Sequence, residues 1–313
     1  MLLDFITLDV FTDTRYAGNP LAVVSVPSAD ALTPEQKQAI AKEFNLSETV
    51  FIYPPTNDVT PEVAVSIYTP KQELPFAGHP TVGSTYFLLG IGPLEGKKEA
   101  ILKTPSGLTP VSYDPSASRG AVSVAHDVLI HRPYRELYGK ISGLSDADLV
   151  QLPGGGVAVC SIVKGMTFLM VHIKDLEALG RMRGTTQDIV IEARGERAGE
   201  KDWLVNFVGA YCFVITDETT EGGVGVKKVR ARMLHGIGEE DSATGSAASA
   251  FGAWMSLANA PASEKEQRYE ITQGVEMGRR SEIGVNVRKG ETGIEEVRLH
   301  GQAVKVMDGK IEI

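Results

Sequence analysis

Cysteine is almost missing from this chain: 313 residues carry two, Cys160 and Cys212. Two thiols cannot build a disulfide framework or a four-cysteine zinc site. Basic residues are outnumbered, 31 Lys plus Arg against 40 Asp plus Glu, for a formal net charge of −9. A field of that sign does not draw in nucleic acid or an anionic membrane, although it leaves room for a local small-anion site. No run reaches the roughly 18 apolar residues that a spanning helix needs. The opening Met1-Leu-Leu-Asp-Phe has no basic region and meets Asp4 and Asp9 at once, unlike a signal peptide. No Gly-x-Gly-x-x-Gly follows a strand and opens a helix, so neither a nicotinamide nor a flavin cofactor is indicated. Gly154-Gly-Gly156 is followed by no Lys-Ser or Lys-Thr and reads as a turn rather than a phosphate loop. His126, His131, His172, His235 and His300 lack metal-ligand spacing. Lys71 and Lys164 have nothing to set them apart from surface lysines. The expectation is a cytoplasmic protein, acting on neither nucleic acid nor membrane.

What is present is ordinary globular composition, 42% hydrophobic and 23% charged, at a length that usually splits into two domains. Leu2–Val10 and Leu21–Val26 read as a hairpin around the turn residues Asp13, Gly18, Asn19 and Pro20. Thr33, Pro34 and Gln36 have the spacing of a capping box with proline at the first helical position. Ala39, Ile40 and Phe44 would form that helix's inner face. Strands follow at 50–52 and 63–68, then around 100–103, 109–113, 121–125, 157–163, 167–173, 210–216, 226–233, 269–272, 283–288, 297–299 and 303–307. Two segments stand apart because they carry no charge: Pro80 to Leu94, read as a helix of about three turns, and Gly245 to Ser263. A helix without charge on any face is a buried helix.

Two buried helices among many strands suggest two units, each a sheet wrapped around a central helix. The sequences at the helix starts agree. Glu73-Leu-Pro-Phe-Ala-Gly78-His79 aligns with Glu240-Asp-Ser-Ala-Thr-Gly245-Ser246, half a chain away, which implies an old duplication. The expected class is α+β, with two pseudo-symmetric domains of mostly antiparallel, rolled sheet. They would span 1–122 and 123–313, the last strands being free to return to the first.

Helix starts bring the chemistry. Their unpaired N–H groups and positive dipole end bind carboxylate or phosphate, and a carboxylate held there has the bond to its neighbouring carbon polarised. Gly78, Gly245 and Ser246 are the candidate binding positions, although the glycines could simply permit close packing. Glu48 lies between Ser47 and Thr49 before apolar Val50-Phe51-Ile52. Such surroundings disfavour a charged carboxylate and suit a general acid or base, but a solvated strand-end carboxylate reads the same. His79 at a helix start is suited to hydrogen-bond while neutral, or to cap and pack. Asp241 is a candidate polar group, or a dipole partner worth roughly 0.3–1 kcal/mol.

Taken together, Asp9-Val-Phe-Thr, Gly18-Asn-Pro-Leu-Ala-Val-Val, Asn45-Leu-Ser-Glu48-Thr, Glu73-Leu-Pro-Phe-Ala-Gly-His79-Pro-Thr-Val-Gly and Glu240-Asp241-Ser-Ala-Thr-Gly245-Ser246-Ala-Ala resemble the PhzF-like phenazine biosynthesis family. Gly301-Gln-Ala-Val-Lys-Val…Gly309 resembles that family's last hairpin. The resemblance runs from about Asp4 to Ile313 and is unspecific from about Ser116 to Glu200. It implies the diaminopimelate epimerase fold, a homodimer, and no metal or cofactor. It also implies catalytic roles for Glu48, His79 and Asp241, and carboxylate binding at Gly78, Gly245 and Ser246. Epimerases of that fold use two cysteines at the helix-opening motifs. Those motifs here hold Ala77, His79, Thr244 and Ser246, so a two-thiol stereoinversion is excluded. The family's phenazine enzyme isomerises trans-2,3-dihydro-3-hydroxyanthranilate, a proton shift that one base can perform. The family commonly has Pro after the motif aspartate, where this chain has Ser242; serine leaves Asp241 in place with more freedom. The expected function is a proton-moving isomerase of a small cyclic or amino carboxylic acid. The rival expectations are a non-catalytic anion or partner binder, and an epimerase, racemase or lyase sharing the carbanion step.

Overall fold

The computed structural model describes residues 1–57, 59–137, 139–187, 189, 191, 208–260 and 264–313. Few helices and many strands make a mixed α/β fold that divides into two compact units, Met1–Val124 with Leu299–Ile313, and Ala125–Arg298. No helix among the described residues is long and apolar enough to cross a membrane.

The first unit opens with the hairpin β1 (Leu2–Val10) and β2 (Asn19–Ser25), paired antiparallel. Helix α1 (Pro34–Phe44) crosses to β3 (Glu48–Ile52), which runs parallel to β2. The capping box is formed: Thr33 N donates to Gln36 Oε1 at 2.9 Å, and Gln36 N donates to Thr33 Oγ1 at 3.3 Å. The inner face differs from the expected one, because Ala39 is exposed while Ile40 and Ala41 are buried beside Phe51, Tyr68 and Val24. β4 (Glu62–Tyr68) then pairs antiparallel with β3 and with the two-residue β5 (Glu73–Leu74). Next comes α2 (Gly78–Thr85), every residue buried, which continues as a π-helical turn over Tyr86–Ile91. β6 (Glu99–Thr104) lies parallel to β4, and β7 (Gly107–Asp114) and β8 (Arg119–Ser123) follow antiparallel.

The ring of strands closes through a late segment, because both β8 and β1 pair with a long final strand, Ile294–Glu312. The sequence suggested two short strands there, ending in a hairpin. The single strand runs on through Gly301, where a side chain would come within 2.3 Å of the Phe11 ring. Inside the closed barrel, α2 touches β1, β2, β3, β7 and β8.

The second unit repeats this order. After β9 (Leu129–Ile130) come antiparallel β10 (Ala158–Val163) and β11 (Met166–His172). The short helix α3 (Leu176–Arg181) crosses to β12 (Val208–Glu221), parallel to β11. Sequence periodicity missed α3, though Asp175 caps it by accepting from Ala178 N at 2.8 Å. β13 (Val224–His235) pairs antiparallel with β12 and with the three-residue β14 (Glu239–Asp241). The charge-free helix α4 (Gly245–Ala258) is buried from Gly245 to Ser256 and touches β10, β11, β15 and β16. The segment read as charge-free extends five residues further, to Ser263, of which 261–263 lie outside the described ones. β15 (Glu266–Gln273) is parallel to β13, β16 (Ser281–Lys289) is antiparallel to β15, and β17 is the long final strand. Phe251 of α4 holds the inner face together with Tyr211, Phe213 and Tyr269, at ring separations of 5.9, 4.8 and 5.6 Å.

Each central helix presses a glycine against its sheet. A Cβ on Gly83 would meet Leu21 Cδ2 at 2.4 Å and Val10 Cγ2 at 2.9 Å, and one on Gly252 would meet Val285 Cγ1 at 2.9 Å. Alanine normally stabilises a helix interior over glycine by about 1 kcal/mol. Here the added methyl enters a filled core, which costs roughly 1–3 kcal/mol. Gly83→Ala and Gly252→Ala are therefore expected to lower the urea midpoint at unchanged m, Gly83→Ala by more; a rise in either midpoint would show that the packing has slack.

Candidate active site

In the first unit the site grows from the parallel pair β2 and β3. Leu21 stands opposite Glu48 and is also what a side chain at Gly83 would strike. Glu48 therefore opens β3 on the face turned to α2. Its Oε2 lies 3.4 Å from His79 Nδ1, with the carboxylate side chain 16% and the imidazole 5% exposed. The same Nδ1 is 3.4 Å from Asn19 Nδ2. Ser47 Oγ orients that amide by donating to Asn19 Oδ1 at 3.1 Å. His79 Nδ1 thus sits between a donor and an acceptor. Protonated, it can give its hydrogen to Glu48; unprotonated, it can accept from Asn19. Its Nε2 is buried with no hydrogen-bond partner among the described residues.

The helix start beside it has no side-chain cap. Ala77 at the cap has no side chain to close the first turn. Pro80 has no N–H to offer, and Thr81 N is returned to Ala77 O at 3.2 Å. Gly78 and His79 supply the N–H groups left over by the helix, at its positive end and with no acidic residue in the first turn.

In the second unit, Tyr211 faces Met233 and Met233 faces Asp241, so the three share one side of the sheet. Thr244 holds the cap position of α4 but leaves the helix uncapped. Its Oγ1 donates instead to Asp241 Oδ2 at 2.6 Å. Gln273 fixes both: Nε2 reaches Asp241 O at 2.9 Å and Thr244 Oγ1 at 3.1 Å, while Oε1 accepts from Thr244 N at 3.3 Å. The helix start is left with the N–H groups of Gly245 and Ser246, and the Ser246 side chain is mostly buried. The Tyr211 hydroxyl is fully buried without a partner among the described residues. Burial, and then the Asp241 charge, push its pKa upward. Burial lowers the pKa of His235 on β13, against the pull of Asp241 and Glu239.

The sequence-derived candidates thus fall into two groups, Glu48, His79 and Gly78 in one unit and Asp241, Gly245 and Ser246 in the other. Sequence reasoning did not single out Asn19, Ser47, Thr244, Gln273 or Tyr211 for the site. Asn19, Ser47 and Thr244 lie inside the quoted motifs, whereas Gln273 and Tyr211 carry no local signal. Aligning the two units by strand register puts Leu74 where Asp241 stands and Gly209 where Glu48 stands. A side chain at Gly209 would strike Met233 Cε at 2.0 Å. Each polar group therefore occurs once, not twice. Among the described residues no group of three His, Cys, Asp or Glu could hold a metal ion.

Comparison with known proteins gives the family. The family described as phenazine biosynthesis-like protein, PhzC-PhzF, matches residues 8–309. The chain belongs to the PhzF family. An uncharacterized isomerase of Mesorhizobium japonicum is 35% identical over 99% of both chains. The trans-2,3-dihydro-3-hydroxyanthranilate isomerase of Pseudomonas fluorescens is 28% identical over 98% of this chain and 99% of its own. A Bacillus anthracis phenazine biosynthesis protein of the PhzF family superposes over all of both chains with a TM-score of 0.76 at 23% identity, a likeness of fold. This PhzF-family protein is an isomerase.

Its two cysteines are both buried in strands of the second unit. Cys160 Sγ points at Ala250 O, 3.7 Å away, inside the second unit, and burial pushes its pKa up to about 12. Burial also raises the Cys212 thiol. Both thiols are expected to resist iodoacetamide in the native isomerase near neutral pH and to react fully in denaturant. Labelling of either in folded protein, read by intact mass, would contradict that placement.

Proposed function

We propose that this isomerase moves a proton between neighbouring carbons of a small cyclic or amino carboxylic acid, with Glu48 as the single acid/base and no metal or organic cofactor. The contact between Glu48 and His79 at the uncapped start of α2 carries the reading. The substrate carboxylate would sit on the N–H groups of a helix start, at Gly78 or at Gly245 and Ser246, where the dipole stabilises charge spreading from the neighbouring carbanion. Glu48 would take the proton from carbon as carboxylate, hold it, and return it to a second carbon on the same face. His79, facing Glu48 through one nitrogen and with the other buried and open for a partner, would follow the proton's position by exchanging donor and acceptor roles at Nδ1. Asp241, with one oxygen taken by Thr244, would hold a substrate amino or hydroxyl group.

One carboxylate with no register-equivalent partner supports proton return over stereoinversion, which needs bases on two faces. The shared strand order, with α1 and α3 at the same crossover and α2 and α4 after the same short strand, supports descent of both units from one duplicated rolled-sheet domain. The family resemblance extends the proposal to a homodimer.

The natural first substrate to try is trans-2,3-dihydro-3-hydroxyanthranilate, the compound in the Pseudomonas relative's name. Proton NMR in heavy water should show its conversion to an isomeric product, with deuterium at the new C–H only to the extent that the proton held by Glu48 exchanges with solvent before its return. Glu48→Gln should lower turnover roughly 10²–10⁴-fold while leaving carboxylate binding intact by calorimetry. Asp241→Asn should weaken binding as well as turnover. Full activity in Glu48→Gln would remove the mechanism. Binding without turnover across a panel of amino and cyclic acids would favour an anion binder, and loss of mass from the substrate would make it a lyase.

A further inference from the structure

Glu240 opens the motif that contains Asp241, and its own role is structural on a fine scale. Its carboxylate is taken by Arg232 of β13 as a fork: Nε donates to Oε1 at 2.8 Å and Nη2 donates to Oε2 at 2.7 Å. The Arg232 side chain is 6% exposed. Its remaining nitrogen, Nη1, donates to the carbonyls of Leu179 and Met182 at 2.9 and 3.0 Å. Those carbonyls end α3, where the helix dipole favours a cation. The guanidinium is thereby anchored to a helix end and cannot simply follow Glu240 if β14 shifts.

That anchoring bears on Asp241 through strand geometry. Successive side chains of a strand point to opposite faces. Glu240 turns to the face covered by α3, and Asp241 turns to the face of Met233 and Tyr211. β14 is three residues long and its described pairing is with β13 alone, so few ladder bonds hold the backbone from which Asp241 projects. A buried ion pair is weak evidence for stability as such, but a fixed fork is a good determinant of geometry. The first unit supplies a control. By register, Ser66 stands where Arg232 stands, Glu73 is exposed, and the short strand carries Leu74 in place of Asp241. The clamp occurs in the unit whose short strand bears the polar residue.

We propose that the Arg232–Glu240 pair is a positioning device for Asp241, setting the aim of its carboxylate rather than touching substrate. This rests on the role of Asp241 proposed above. A cavity of about 470 Å³, lined by Gly184, Arg232, Gly238, Glu239, Glu240 and Glu276, adjoins the pair, so a free guanidinium ion can enter if the arginine side chain is shortened.

The experiment uses full-length Arg232→Ala, Arg232→Lys and Glu240→Gln, each with and without Asp241→Asn. Turnover of the dihydro-hydroxy acid and the carboxyl carbon-13 resonance of Asp241 are followed, the latter identified by its loss in Asp241→Asn. Arg232→Ala should lose roughly 10–100-fold in kcat, with little change in KM. Millimolar guanidinium should restore much of it, whereas Arg232→Lys, lacking the fork, should stay low. Glu240→Gln, which keeps one acceptor and the fold, should fall between. In the Asp241→Asn background none of these changes should cost anything further. Unchanged kcat in Arg232→Ala and Glu240→Gln would overturn the proposal, as would an equal loss in both backgrounds. If wild type is silent toward this acid, the substrate reading fails and the resonance decides alone. Displacement in Arg232→Ala with return on adding guanidinium supports positioning, and an unmoved resonance in both Arg232→Ala and Glu240→Gln refutes it.

Discussion

A helix enclosed by sheet has no water along its length, so everything polar about it must happen at its ends. The first N–H groups of any helix lack partners within it. In an exposed helix, solvent or a capping side chain satisfies them. Here Ala77 has nothing to cap with and Thr244 spends its hydroxyl on Asp241. The chain also keeps charge off both helices, since a lysine or glutamate on any face would be stranded in a core. The same constraint that empties the helices of charge leaves two electropositive N-termini among short strands, where Glu48, His79 and Asp241 are found.

The two units share one strand order and differ in the side chains it carries. Both units use the same order of antiparallel, parallel and antiparallel pairings around the helix. What differs is which side chain occupies each equivalent place. Met233 fills the space that a residue at the Glu48-equivalent position would need, and Leu74 holds the Asp241-equivalent position. The result is that Glu48 and Asp241 have distinct neighbourhoods, one facing an imidazole and the other a threonine hydroxyl and a glutamine.

Much of this was legible in the chain because the signals were local. The capping box at Thr33 and Gln36, the alternation of Val63, Val65 and Ile67, and the missing charges after Gly78 and Gly245 each declare an element within a few residues. What stayed hidden depends on distant partners. Gln273 is an ordinary strand residue until β15 brings it beside Asp241, and Tyr211 differs from other buried aromatics only through its row on the sheet. Ala39 was assigned to the core of α1 because its period fits, yet Ala41 packs there, a rotation that periodicity over eleven residues does not resolve. The break expected near Gly301 did not occur because the glycine is required by the Phe11 ring and not by a turn.

The closing strand imposes an order on assembly. The first unit's barrel is completed by residues 299–313, and all of residues 125–298 are synthesised before them. Until then β1 and β8 are edges without their partner. An open edge is a template for the wrong strand, so the first unit stays an unfinished barrel until residues 299–313 have been made. The Glu48 and His79 pair belongs to that unit, so the proposed acid/base group takes its final surroundings only after the closing strand has joined.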